Sequence, residues 1–167
     1  MGPVIDGAAL DRFTAAASEA ASAGSVVLGG EQLKGGRFDG GSYVAPTIVR
    51  DLAPEHRINR DELFLPFLSV LPFDVLDDAI ADANRSAFGL AAGIYTQDEP
   101  ELDRFLNTIE AGVLYANRAS GATTGAWPGF QTFCGWKGSG ITGKGGLGSW
   151  YVPQFMREQS HTIFGSL

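Results

Sequence analysis

Hydrophobic positions along this chain recur with two different periods, and the alternation between them outlines a fold. Over residues 6–23, Leu10, Phe13, Ala17 and Ala20 fall at helical spacing and Gly24 follows as a stop, which predicts an amphipathic helix. A short strand is expected at 26–28. The stretch 42–49 reads as extended, with Pro46 pointing to an edge or irregular strand because proline cannot donate to a ladder. The nearly continuous apolar run 67–73 predicts a strand, Asp74 a helix cap with Leu76, Ala79, Ile80 and Ala83 on one face, and 90–95 a further apolar strand. The unit then repeats. Asp98 and Glu101 have capping-box spacing, Leu102, Phe105, Leu106 and Ile109 form a buried stripe, Gly112 reads as a stop and 113–116 as strand. Residues 159–164 predict a last strand.

Strand, helix, strand, helix, strand, with the strands apolar on both faces, implies parallel pairing through right-handed crossovers. The expected class is α/β, a doubly wound parallel-sheet segment. Ligands in such sheets bind beyond the carboxyl ends of strands, and the last of these strands ends at Asn117, where a glycine-dense segment begins. Residues 118–149 hold ten of the 23 glycines, interleaved with Trp127, Phe130, Phe133 and Trp136. That mixture is too irregular for helix or strand and too aromatic for a solvated linker, so it predicts an ordered functional loop. Phe130, Phe133 and Trp136 either line an apolar pocket or anchor the loop to the core.

Composition narrows the choice of chemistry. A chain of 167 residues with 44% hydrophobic content can bury one sizeable core. Twelve basic against 19 acidic residues give a net charge of -7, which offers no basic stripe for nucleic acid. One cysteine, Cys134, and two distant histidines, His56 and His161, argue against both a disulfide framework and a zinc site. No apolar run approaches the roughly 20 residues of a membrane span, and no signal pattern opens the chain, so the cytoplasm is the expected compartment. The sequon Asn84-Arg85-Ser86 carries little weight in that setting.

Several residues invite a chemical reading beside a plain one. Cys134 is the only thiol, but its neighbours Phe133, Gly135 and Trp136 suit a small buried hydrophobe rather than a nucleophile. Residues 138–143 spell G-x-G-x-x-G, yet they follow a loop and precede Lys144-Gly145-Gly146, a poor helix start, so the glycines are read as turn formers. Glu62 precedes a predicted core strand, where it is either a solvated carboxylate or an acceptor for the hydroxyls of a diol, with Phe64 alongside. Thr124-Gly125-Ala126 is either an ordinary turn or a nest of backbone N–H groups for an anion.

Six separated segments resemble the C-terminal part of the aldehyde dehydrogenase superfamily, in family order. They are Met1-Gly2-Pro3-Val4-Ile5, Gly41-Ser42-Tyr43-Val44-Ala45-Pro46-Thr47, the run from Arg60 to Pro66, the run from Phe88 to Thr96, the run from Ala111 to Asn117, and the run from Phe133 to Gly140. Asn117-Arg118, Thr123-Thr124-Gly125-Ala126 and Gln131-Thr132-Phe133 are most similar to 1-pyrroline-5-carboxylate dehydrogenases, which oxidise glutamate semialdehyde to glutamate with NAD. The resemblance implies that Glu62 binds the nicotinamide ribose and Phe64 contacts the cofactor. It implies that the loop at Thr124, Gly125 and Ala126 holds the substrate carboxylate through the Gly-Ala N–H groups, and that Phe133 walls the aldehyde pocket. Leu65, Thr132 and Cys134 stand where the family has Gly, Pro and Gly.

By the same resemblance, residues 1–158 are part of a catalytic domain and 159–167 an oligomerisation strand. The nucleophile, general base and most of the NAD site would lie upstream, which leaves no catalytic residue and no metal ligand to assign here. The chain is thus expected to be inactive alone, to act with the rest of a dehydrogenase or as a homo-oligomer, and to leave apolar sheet surface uncovered. Two other readings stay open: a non-catalytic dimerisation or interaction module, and an acid-binding remnant of the family.

Overall fold

The computed structural model describes residues 1–119, 126 and 129–165. The chain divides into two compact units, Met1–Asp82 and Ala83–Leu167.

In the first unit, helix α1 (Gly7–Ala23) starts where the Asp6 side chain accepts a hydrogen bond from the Ala9 N–H at 2.7 Å and stops at Gly24, as its pattern predicts. Its small residues let the backbone lie close to the sheet. Ala16 and Ala20 pack with Val49, Leu52 and Ile58, while Phe13 and Ala17 pack with Val44. Phe67 touches both clusters and meets Phe13 edge to face, ring centroids 6.2 Å apart. The sheet orders β1 (Ser25–Leu28), β4 (Thr47–Arg50) and β5 (Phe67–Val70), with β4 in the middle. β1 runs antiparallel to β4 and β5 parallel to it, Thr47 opposite Phe67 and Arg50 opposite Val70. Between them lie a small antiparallel pair, β2 (Gln32–Leu33) and β3 (Tyr43–Val44), and the one-turn helix α2 (Arg57–Arg60).

Of the two readings of Pro46 the irregular strand holds and the edge does not: it falls in the break between β3 and β4, so the missing N–H costs the central strand nothing. One expectation needs correcting here. β5 is not covered on both faces, because Leu68 and Val70 are exposed while Phe67 and Ser69 turn inward. Its alternation is that of a strand with one bare apolar face within this chain.

Helix α3 (Leu76–Asn84) crosses from one unit to the other, its first turn closing on the Val75 carbonyl. The second unit contains a β-α-β motif: β7 (Ala91–Ile94), α4 (Glu99–Thr108) and β8 (Val113–Ala116), with β7 and β8 parallel, Ala91 opposite Val113. Phe105 and Ile109 of the α4 stripe are buried and Leu102 is half-buried, but Leu106 remains exposed. The cap is half of the expected box. Asp98 accepts from the Glu101 N–H at 2.8 Å, whereas the Glu101 carboxylate accepts from the Thr96 hydroxyl at 2.6 Å, and that hydroxyl in turn accepts from the Asp98 N–H. Two further short strands, β6 (Phe88–Gly89) and β9 (Trp136–Lys137), pair antiparallel. The parallel strands thus form two separate ladders among the described residues, not one continuous sheet. The tail 159–164, expected as a last strand, pairs with no strand among the described residues and is exposed: with no ladder partner here its backbone has nothing to order it as β-structure.

Candidate functional site

The run from Asp61 to Pro66 leads from α2 into β5, and its side chains alternate. Leu63 and Leu65 turn inward, Leu63 onto the Ala16–Val49 cluster and Leu65 onto the Phe13–Val44 cluster, which leaves Glu62 and Phe64 facing solvent. Phe64 is 84% exposed and has φ +54, a left-handed conformation that L-residues avoid by about 1–2 kcal/mol. A bare aromatic ring on a strained backbone is doubly unfavourable for folding. Leu65, standing where the resembled motif has glycine, has no left-handed φ and needs none. Its side chain instead anchors the segment to α1.

This segment is held from several sides. Arg57 donates to both carboxylate oxygens of Glu19 on α1, Ser69 on β5 donates to Asn59 at 2.5 Å, and Arg60 pairs with Asp82 on α3 at 3.3 Å. At the other end the Thr47 N–H donates to the Pro66 carbonyl at 3.0 Å. Glu62 and Phe64 line an open depression of about 270 Å³ together with Ile58, Asp61, Leu63 and Ser69. A carboxylate and a ring side by side suit a ribose: the first accepts from paired hydroxyls, the second covers an apolar edge.

In the second unit part of the glycine-rich segment over 129–149 is β-structure. Phe133 bridges Gly146 through an N–H···O bond of 2.8 Å, the Gly129 N–H donates to Leu147 at 2.8 Å, and β9 pairs with β6. Glycine is required where chain crosses chain. A Cβ on Gly112 would lie 1.5 Å from the Cys134 carbonyl oxygen, so Gly112 serves close approach rather than ending α4, which stops at Thr108 with Ile109 as its cap. Of the three aromatics expected as pocket or anchor, Phe133 is half-buried, Trp136 is 49% exposed and Phe130 is 90% exposed.

Thr124 and Gly125 lie outside the described residues; Ala126 is half-buried. Cys134 is half-buried, its Sγ 3.9 Å from the Gly135 carbonyl, an acceptor and not a base. The G-x-G-x-x-G run forms turns with no helix after it, as the plain reading held. Among the described residues no cluster of His, Cys, Asp or Glu has the makings of a metal site, and no helix is long and apolar enough to cross a membrane.

Three residues with clear roles escape sequence reading. Asn117, with φ +52, clamps the ends of β7 and β8: its Oδ1 accepts from the Thr96 N–H at 2.9 Å and its Nδ2 donates to the Thr96 carbonyl at 2.7 Å. Asn84 is fully engaged too, Nδ2 donating to Thr108 O and Oδ1 accepting from Glu110 N–H, both at 2.8 Å, which occupies the sequon asparagine structurally. Lys137 holds the end of α3 through its ammonium. An asparagine at the end of an apolar strand was the one available signal, since Asn tolerates left-handed backbone.

Residues 1–160 match the model of the aldehyde dehydrogenase family. Among solved structures, the chain is similar to 3,6-anhydro-L-galactose dehydrogenase in complex with NAP, with 32% identity, a TM-score of 0.81, and coverage of 93% of this chain and 31% of that one. It is similar to 1-pyrroline-5-carboxylate dehydrogenase from Thermus with bound NAD at 33% identity and a TM-score of 0.76, covering 87% and 27%. Lactaldehyde dehydrogenase from Escherichia coli matches at 32% identity and a TM-score of 0.81, covering 95% and 31%. The chain therefore spans about three tenths of the length of the structures it resembles.

Proposed function

The chain belongs to the aldehyde dehydrogenase family, and from that membership we propose that it forms the cofactor-gripping and pocket-walling part of a dehydrogenase oxidising glutamate semialdehyde with NAD. The observation that carries the cofactor half is the pairing of Glu62 with a strained, exposed Phe64 in one depression. The substrate half rests on the loop sequence Asn117-Arg118, Thr124-Gly125-Ala126 and Gln131-Thr132-Phe133, since relatives named for lactaldehyde and anhydrogalactose match equally well overall.

In this reading the Glu62 carboxylate accepts hydrogen bonds from the ribose hydroxyls and fixes the depth at which the cofactor sits. Phe64 covers its neighbouring apolar surface. The N–H groups of Gly125 and Ala126 donate to the substrate carboxylate, so the aldehyde end points away from them. Phe133 walls that end and excludes water. The nicotinamide, when bound, accepts the hydride that leaves the aldehyde carbon. Residues 159–167 supply a strand to a neighbouring copy or segment, and the bare face of β5 is covered there by other parts of the enzyme.

In this reading the reacting sulfur is supplied from elsewhere; Cys134, whose Sγ meets the Gly135 carbonyl among the described residues, is not assigned that role. The 167-residue chain mixed with NAD and glutamate semialdehyde is therefore expected to give no growth in reduced-cofactor absorbance. Sustained turnover would sink this assignment of roles.

A further inference from the structure

We propose that Lys137 is a positioning residue, a clasp that holds the loop carrying Phe133 in place through the ends of two helices. The inference rests on reading Phe133 as the pocket wall.

Lys137 has φ +52, Gly138 after it does not have a positive φ, and the Ser139 N–H donates back to the Trp136 carbonyl at 2.9 Å. These signs match a tight turn of type II′, in which the first central position is the one glycine normally takes. A lysine there is strained, so something must hold it. Its ammonium donates to the carbonyls of Asn84 at 2.5 Å and Ser86 at 3.2 Å and pairs with the Glu110 carboxylate at 2.7 Å, while its side chain is only 23% exposed.

Asn84 is the last residue of α3, whose terminal carbonyls lack partners within the helix and carry its negative dipole end. The cation caps that end. The Asn84 side chain in turn caps α4 at Thr108 and receives the Glu110 N–H. Three elements thus meet on one ammonium and one amide. On the far side of the turn, Ser139 Oγ accepts from the Gly89 N–H at 3.1 Å, and the Gly138 N–H donates to Ala87 at 2.9 Å. The turn is fastened at both sides, and Phe133 and Cys134 enter it just upstream, with the Cys134 backbone pressed against Gly112. Releasing the ammonium leaves the strained turn fastened on the Gly89 and Ala87 side alone.

Amide hydrogen exchange on the whole 167-residue chain, without substrate, tests the clasp. Lys137→Met is expected to speed exchange at Gly89, Gly138 and Ser139 by about tenfold to a hundredfold, the loss of one or two charge-assisted hydrogen bonds, while α1 is unchanged. Lys137→Arg, which keeps the cation, is expected to recover most of that protection. Glu110→Gln, a milder change, should move the same amides in the same direction by a smaller factor, and it stands in if the methionine variant fails to fold. Parent-like exchange in Lys137→Met, or in Glu110→Gln where the methionine variant does not fold, would overturn the proposal, as would an arginine variant no better protected than the methionine one. Because no aldehyde enters the measurement, its failure leaves the substrate assignment standing.

Discussion

Gly112→Ala is expected to destabilise the second unit by about 3 kcal/mol and to unseat the segment at Phe133 and Cys134, because an added Cβ has nowhere to go. It would sit 1.5 Å from the Cys134 carbonyl oxygen, 2.5 Å from its carbon and 3.2 Å from the Gly135 nitrogen, all backbone atoms. Neither strand of the crossing is free to yield. Gly112 is pinned by its N–H bond to Gly89 at 3.0 Å, and the opposing loop by the Phe133–Gly146 bridge. Urea denaturation reads the loss as a lower midpoint. Gly143→Ala is the control: its Cβ would meet open space, and the change should stay within about 0.5 kcal/mol. A Gly112→Ala chain as stable as the parent would show that the crossing is looser than described.

Phe13→Ala carries the other large effect, about 3–5 kcal/mol, through the first unit. Phe13 is fully buried beside Ala17 and Val44, with the Phe67 ring against it and Val4, Leu10 and Leu65 around it. Removing the ring leaves a cavity beneath Phe67 and beneath Leu65, one of the two residues that fasten the Glu62–Phe64 segment to the core. Besides a lower urea midpoint, faster amide exchange is therefore expected at Leu63, Phe64 and Leu65. A loss below about 1 kcal/mol would mean that the helix collapses onto the sheet and fills the space.

What could be read from the sequence followed how local the determinant was. α1 was legible because a stripe, a capping side chain and a breaker all lie within one helix length, and the core of α4 because its stripe and its capping side chain do. The strand at Val113–Ala116 was legible for the same reason. Gly112 was misread as a helix stop because its clash partner is 22 residues away, and no local pattern announces such a crossing. The same holds for Lys137, whose contacts at Asn84 and Glu110 exist only once α3, α4 and the loop have come together. The bare face of β5 was hidden by its composition, since Leu68 and Val70 look like core residues whether or not this chain supplies their cover. Of the proposed site, Glu62 and Phe64 were located through family resemblance; their outward presentation follows from the inward turn of Leu63 and Leu65, a pattern visible only against α1.

The central claim is that this segment brings both a cofactor grip and a carboxylate-directed aldehyde pocket to an enzyme whose nucleophile lies elsewhere. Its most direct test replaces the matching stretch of lactaldehyde dehydrogenase from Escherichia coli with residues 1–160 and compares kcat/KM for glutamate semialdehyde and lactaldehyde, with NAD present. The expected result is a preference for glutamate semialdehyde by at least about a hundredfold, well within the roughly ten-thousandfold by which a site built to pair with a polar group rejects a ligand lacking it. A folded chimera that keeps the parental preference for lactaldehyde would contradict the account.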